Sequence, residues 1–413
     1  MSSPKPRIAI VGGGPAGLTA GVLLHKHGVP FTIFELRQKP TTEELQQPVG
    51  MLDLHEGSGL AAIRKCDLYD DFLPLTGDCA PVMKISDRDG NIALTHGDEE
   101  GKDRPEISRH ALNQLLMSKL PADAIQWGHK LLSAASFETS GHTKVELKFG
   151  GHDTQIFDFI IGADGAWSKV RKLLTNAKPE YCGRQIITVS IKQITQKYPH
   201  LADLVGPGTF IAMGNRHGVV VQRGSQNSAR LYIYFTTTDE EFATSSGLAT
   251  ETAAAVKTRM LEDNTLLGQW GSKLKELVAV ACDEDLKNNP GEKVDIRPVY
   301  GLPVGYIWKH NPGATLIGDA AHLTPPSGGG VNLGMLDAML LSEAIVKAHE
   351  MAGNDAVLFQ KALSPLIREF ESVMAVRAKE EAEQGNMLNR ILFAEDGVKA
   401  ITQFFNSFKQ QPE

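Results

Sequence analysis

Two hydrophobic periods alternate along the chain, and the switches between them mark its elements. Ile8–Val11 is a short apolar run that stops at three glycines, and from Pro15 the residues Leu18, Val22, Leu23 and Leu24 recur at helical spacing. This predicts strand, tight turn, helix. Gly28 stands where a C-cap glycine would, and 29–34 is a second β-rich run ending at Glu35. Residues 60–68 predict a short helix, and 78–103 alternate and turn, with Arg88-Asp89-Gly90-Asn91 as a hairpin signal. The run PEISRHALNQLLMSKL predicts a helix capped by Ser108, with Ala111, Leu112, Leu115 and Leu116 as its buried stripe. Arg109 falls in its first turn, where a cation opposes the helix dipole.

Residues 145–149 and 157–161 read as strands, the second ending in Gly162-Ala163-Asp164-Gly165 ahead of a predicted helix over 166–174. Between 178 and 300 short β-rich runs (185–191, 210–213, 219–222, 230–236) dominate, followed by helical patches at 251–261 and 274–281. Successive short strands predict an antiparallel sheet inserted between segments of the first unit. A further strand at 314–318 meets Asp319-Ala320-Ala321-His322. Then come Pro325 and Pro326, the glycines 328–330, and a helix starting near Val331 with Leu333, Leu336, Leu340 and Leu341 on its buried side. The remainder, 365–408, reads as helical.

The first turn carries chemistry. Gly12, Gly14 and Gly17 form G-x-G-x-x-G between a strand and a helix, which allows a sharp turn, close approach to a pyrophosphate and tight helix packing. Helix N–H groups then face the phosphates. Glu35, at the end of the second strand, is placed for a ribose 2′-hydroxyl and argues for FAD or NAD over NADP in this site. The plainer alternative is a glycine turn with no ligand. Asp53 and His55 point the same way on an extended piece; His55 reads as a structural histidine or a catalytic one.

Composition narrows the classes. A net charge of −7 without a basic cluster argues against nucleic acid. Cys66, Cys79, Cys182 and Cys282 are far apart, which suggests neither zinc nor a disulfide framework and fits a cytoplasmic location. No run is long and apolar enough for a membrane span, since the late stretch 331–345 contains Asp337 and Glu343.

Three glycine-linked signals stand in order: GGGPAG with Glu35, ADG at 163–165, and GDAAHLTPP at 318–326. That set resembles the single-component FAD-dependent aromatic hydroxylases of the para-hydroxybenzoate hydroxylase fold, the class A flavoprotein monooxygenases. GMLDLHEGSG, PEISRH and ADGAWSKVRK look most like the tetracycline-inactivating monooxygenases and their fungal and bacterial relatives. The resemblance implies an α/β protein: a Rossmann-like FAD-binding domain (1–77, 104–177, 300–364), an inserted antiparallel substrate-binding sheet domain (78–103, 178–299) and a C-terminal helical segment (365–413).

It also implies roles. Gly12, Gly14, Pro15, Ala16 and Gly17 would hold the FAD pyrophosphate, Glu35 the adenosine ribose, and Asp319 the ribityl and pyrophosphate region. Asp53 and Arg109 would hold the cofactor, with Arg37 as a further nucleotide contact. Asp164 would serve both FAD and the nicotinamide donor. Pro326, Gly328, Gly329, Gly330, Val331 and Asn332 would lie along the isoalloxazine. The usual G-Q-G-x-N is here Gly328-Gly329-Gly330-Val331-Asn332, and Arg216 matches a substrate-side arginine while the other polar substrate contacts do not line up.

No second dinucleotide unit is visible, so NADPH would bind transiently over the FAD and pass hydride to it. O₂ would then add at C4a, and the hydroperoxide's distal oxygen would be attacked by an electron-rich phenol or enol carbon of a polycyclic small molecule, with tetracyclines among the candidates. No catalytic side chain and no metal site is assigned. His322 is given a structural reading. Alternatives are a flavin oxidase or dehydrogenase on the same scaffold, and a non-catalytic binding protein. A monomer is expected, with a dimer as the alternative.

Overall fold

A computed structural model describes residues 5–97, 104–139, 141–326 and 328–409. The expected tail of the hairpin segment at 98–103, Ser327 within the second glycine-rich turn, and both chain ends lie outside the described residues. Five parallel strands form one sheet in the order Ala314–Leu316, Phe159–Gly162, Ile8–Val11, Thr32–Phe34, Ile125–Gln126. Every residue of Ile8–Val11 is buried, as a central parallel strand covered on both faces requires. The helix Pro15–Lys26 leaves directly from the glycine turn with proline at its start. It ends at Gly28, whose φ of +67° suits glycine.

The second sheet has seven strands, ordered Asp295–Gly301, Glu180–Ile191, Ser228–Thr236, His217–Gly224, Thr209–Gly214, Met83–Asp87, Ile92–His96. It departs from the antiparallel expectation at one pairing: Thr209–Gly214 runs parallel to Met83–Asp87. The two come from separate excursions of the chain, so no short turn dictates their direction. Helices Ala253–Glu262 and Ser272–Asn288 cover the back of this sheet, against a core that includes Ile187, Val189, Phe210 and Leu231. Its front carries Ile186, Tyr234 and Val299, and on this side Tyr232 meets Gly50 and Gly301 meets Pro325. The helix Ala356–Leu392 runs from Phe370 and Met374 in the first core to Phe393, which packs on Tyr234 at 5.4 Å.

Three local expectations change. A strand Leu131–Thr139, unseen in the sequence because it is mostly exposed, joins His142–Phe149 and Gln155–Phe157 in a separate antiparallel sheet. Only Arg171–Leu174 of the segment after Gly165 is helical, because the Asp164 carboxylate accepts from the N–H groups of Lys169 and Val170 and folds the intervening residues into turns. The helix Gly330–Ala352 buries Asn332, Asp337, Ala338 and Leu341, while Leu333, Leu336 and Leu340 are only half-buried. It is packed between Pro15–Lys26 and Ala356–Leu392, so partnered polar groups as well as apolar ones go inside.

Candidate functional site

Two bare helix starts meet at one edge of the parallel sheet. In the first turn a Cβ on Gly12 would lie 2.2 Å from the Ala163 carbonyl oxygen, and one on Gly17 would lie 2.0 Å from that of Gly12. Both glycines are therefore required by packing. Gly14 is different: apart from its chain neighbours, no atom of the described residues lies within 4 Å of where its Cβ would be. The helix it opens has no side-chain cap, so its first N–H groups face open space. Glu35 is fixed beside this turn, its Oε2 accepting from Gly13 N at 2.7 Å and its Oε1 from Arg37 N at 2.9 Å. The Arg37 side chain is exposed.

The second turn packs against the first through the Ala16 methyl, which lies 3.4 Å from the Cβ positions of both Gly318 and Gly334. Asp319 opens the short helix Asp319–His322 with its carboxylate exposed and unclaimed by any hydrogen bond to the described residues, 3.8 Å from the Cβ position of Gly330. The helix Gly330–Ala352 also starts without a side-chain cap, and Gly328, at φ +92°, has no atom of the described residues beyond its chain neighbours within 4 Å of its Cβ position. Pro326 O accepts from Asn389 Nδ2 at 3.3 Å, and a Cβ on Gly329 would strike Glu381 Oε1. The long helix thus presses on this loop from outside.

Asp337 holds the turn from behind. It is fully buried and accepts from Gly318 N at 3.2 Å, His322 Nε2 at 2.5 Å and Arg377 Nη2 at 3.2 Å. Burial alone would lower the His322 pKa, but the Asp337 charge and hydrogen bond outweigh it and raise it. His322 thus spends its ring nitrogen on Asp337 inside the fold.

Asn332 does something its sequence position does not show. Its side-chain oxygen accepts from His55 N at 2.8 Å and Gly59 N at 3.2 Å, while its Nδ2 donates to Asp53 O at 2.8 Å. It pins 53–59 to the start of the helix Gly330–Ala352. Asp53 is thereby presented beside that helix start, with its Oδ2 2.8 Å from His55 Nε2. Met51–Asp53 pairs antiparallel with Glu106–Ser108, so Asp53 stands opposite Glu106 and the exposed Arg109 follows at the other end, below the Ser108 cap.

Glu106, missed in the sequence as one acid in a short strand, is buried. Burial pushes its carboxyl up to about 7, with the Asp53 charge adding to the rise. It accepts from Gln222 Nε2 at 3.0 Å, and Gln222 Oε1 accepts from Met51 N, which ties the large sheet to this segment. From the ordinary value of 4.5 up to about 7, the unfolded chain has lost a proton that the folded chain keeps. Stability therefore falls as pH rises through that window. Glu106→Gln is expected to remove the fall, gaining up to about 3 kcal/mol over wild type at the alkaline end. Urea melts at about pH 5 and about pH 8 check this, and equal wild-type and variant slopes would refute it.

Asp164 spends both oxygens within its own turn, taking the Ser168 hydroxyl at 2.5 Å as well as the two N–H groups. The neighbouring Arg171 is buried and reaches the carbonyls of Ala320, at 2.9 Å, and Ala166, at 2.5 Å, joining this turn to Asp319–His322. Arg216 is not near these groups in hydrogen-bonding terms. It forms, with Asn215, the exposed tip of the hairpin between Thr209–Gly214 and His217–Gly224, both residues at positive φ.

Bare N–H groups at two adjoining helix starts suit a pyrophosphate and a polar ring edge. The open Cβ position of Gly14, the fixed Glu35 and the free Asp319 carboxylate supply the remaining contacts that a flavin dinucleotide needs, so the residues present fit FAD. Among the described residues no cluster of three or more His, Cys, Asp or Glu could hold a metal ion, and no helix is long and apolar enough to cross a membrane.

Comparison with known proteins agrees with that fit. The family described as "FAD binding domain" matches residues 5–273 and 308–360. Monooxygenase penA of Penicillium thymicola is 35% identical over 405 residues, covering 90% of this chain and 92% of penA. The crystal structure of Klebsiella pneumoniae HpxO with FAD and uric acid superposes with a TM-score of 0.73 at 16% identity, covering 98% of this chain and 93% of HpxO. Tetracycline destructase Tet(51) superposes with a TM-score of 0.66 at 15% identity over the full length of both chains. At such identities the two structures speak for the fold.

Proposed function

The chain belongs to the FAD binding domain family and is an FAD-dependent monooxygenase, and from that premise we propose that it uses NADPH and O₂ to hydroxylate an electron-rich phenol or enol carbon of a polycyclic small molecule. The observation that carries the reading is the convergence of the Gly14 and Gly330 helix starts around the packed Ala16, Gly318 and Gly334, with the Asp319 carboxylate beside Gly330. When bound, FAD would take hydride from NADPH and deliver activated oxygen to the substrate.

The chain's own residues then have separable tasks. N–H groups after Gly14 bind the pyrophosphate, and Pro15, Ala16 and Gly17 keep that helix in place. Glu35 accepts from the adenosine ribose, Asp319 from the ribityl chain, and Arg37, Asp53 and Arg109 flank the cofactor. N–H groups after Gly330 stabilise negative charge at the ring's pyrimidine edge. Pro326, Gly328, Gly329 and Val331 line that ring with little side-chain bulk. Asn332 acts through 53–59 as a positioning residue. Asp164 shapes the turn over which NADPH passes. Exclusion of water from the site would protect the activated oxygen. The domain division at 78–103 and 178–299, a monomeric state and a cytoplasmic location, which the four free cysteines favour, complete the proposal.

The test is NADPH consumption in air by the FAD-loaded protein, with and without oxytetracycline and a panel of phenolic polyketides and alkaloids. Faster consumption with a changed substrate spectrum supports the reading. One slow rate with every compound would contradict it and favour the oxidase alternative.

A further inference from the structure

Among the described residues, the half-buried Arg184 has no carboxylate partner. It belongs to Glu180–Ile191 and shares the front of the large sheet with Ile186, while Ile187 and Val189 point into the core behind. Its guanidinium carbon stands 4.6 Å from the centre of the Phe393 ring. The ionisable side chains that reach it are Cys182, Tyr234 and Tyr181, with no carboxylate among them. The guanidinium makes no hydrogen bond to any described residue. On the same face Thr188, 5% exposed, has a buried Oγ1 without a partner.

The surroundings place this cation at the reaction compartment. Phe393 follows Asn389, which donates to Pro326 O, and the Cys182 sulfur and the Pro325 ring both lie against Gly301. Arg184 therefore looks out between the second glycine-rich turn and the aromatic pair Tyr234 and Phe393. A guanidinium withdrawn from water is costly unless an anion joins it, and nothing in the described chain supplies one. Arg216, at its exposed hairpin tip, carries no such cost.

We infer that Arg184 is the substrate anchor: it binds an anionic oxygen, carboxylate or ionised enol, on a planar aromatic substrate whose ring lies against Phe393 and Tyr234, with the Thr188 hydroxyl available to a second substrate oxygen. The inference rests on the monooxygenase reading for what faces Arg184 across the compartment, and it adds the charge of the substrate. A bidentate guanidinium suits either oxygen source.

The probes are 1-hydroxy-2-naphthoate and its neutral isostere 1-hydroxy-2-naphthamide, measured by equilibrium dialysis against the FAD-loaded full chain. Wild type is expected to prefer the anion by about tenfold or more. Arg184→Met should abolish the preference while leaving amide affinity nearly unchanged. Arg184→Lys should keep part of it, and Arg216→Met should keep all of it. An unchanged preference in Arg184→Met, or a wild type that binds both probes equally or neither, overturns the inference. If Arg184→Met does not fold, the Lys variant decides, since loss of bidentate geometry must still weaken the anion relative to the amide. FAD retention and NADPH-dependent bleaching are recorded on the same preparations. Protein that keeps both but ignores probe charge defeats this inference alone, whereas protein that cannot keep FAD defeats the functional reading.

Discussion

Gly14→Ala protein is expected to fold with stability within about 1 kcal/mol of wild type in the absence of FAD, yet to bind FAD about a hundredfold more weakly. Gly14 has φ −81°, which alanine adopts freely, and beyond its chain neighbours its Cβ position meets no atom of the described residues. The new methyl can therefore collide only with what occupies the space in front of the helix. Gly17→Ala provides the contrast, since its methyl would lie 2.0 Å from the Gly12 carbonyl oxygen and must force the turn open. That variant should lose about 3 kcal/mol or more of stability before any cofactor is added. Urea denaturation of the apoproteins and fluorescence titration with FAD separate the two effects. Equal FAD affinity for Gly14→Ala and wild type would place the dinucleotide elsewhere.

Asp337→Ala should be among the most destabilising single changes in the chain, at about 3–5 kcal/mol near neutral pH. It takes the carboxylate from the half-buried Arg377, leaves burial to lower the His322 pKa, and orphans the buried Gly318 N. The pH dependence has a definite sign. Because Asp337 raises the His322 pKa, the extra stability is fully present below the unfolded value of 6.5 and is lost as pH rises through the folded value. The gap between wild type and variant in urea melts should therefore narrow on the alkaline side. A loss under 1 kcal/mol, or a gap that widens with pH, would refute this account of the turn.

What the sequence shows well is local. The strand, glycine turn and helix at 8–26, the Ser108 cap and the ordered glycine motifs depend on residues adjacent in the chain, where spacing and backbone chemistry decide. What it conceals depends on distant partners. The Asn332 amide could have faced the flavin, and only the approach of 53–59 shows where it goes. Glu106 becomes unusual only because strands Met51–Asp53 and Glu106–Ser108 pair and Gln222 descends on them from another sheet. Arg184 and Arg216 look alike in a β-rich stretch, and only the strand pairing leaves one half-buried within a strand and the other at an exposed hairpin tip. The helix expected at 166–174 fails for a similar reason, since a side chain at Asp164 competes for the backbone donors it needs.

The most direct test of the account is the fate of oxygen. Purified FAD-loaded protein is supplied with NADPH, ¹⁸O₂ and whichever aromatic compound accelerates NADPH loss, and the product is weighed by mass spectrometry. The account predicts one ¹⁸O atom in each product molecule, with NADPH consumed in proportion. Product without label, accompanied by H₂O₂ in proportion to NADPH, would contradict it and make the protein an oxidase on the same scaffold.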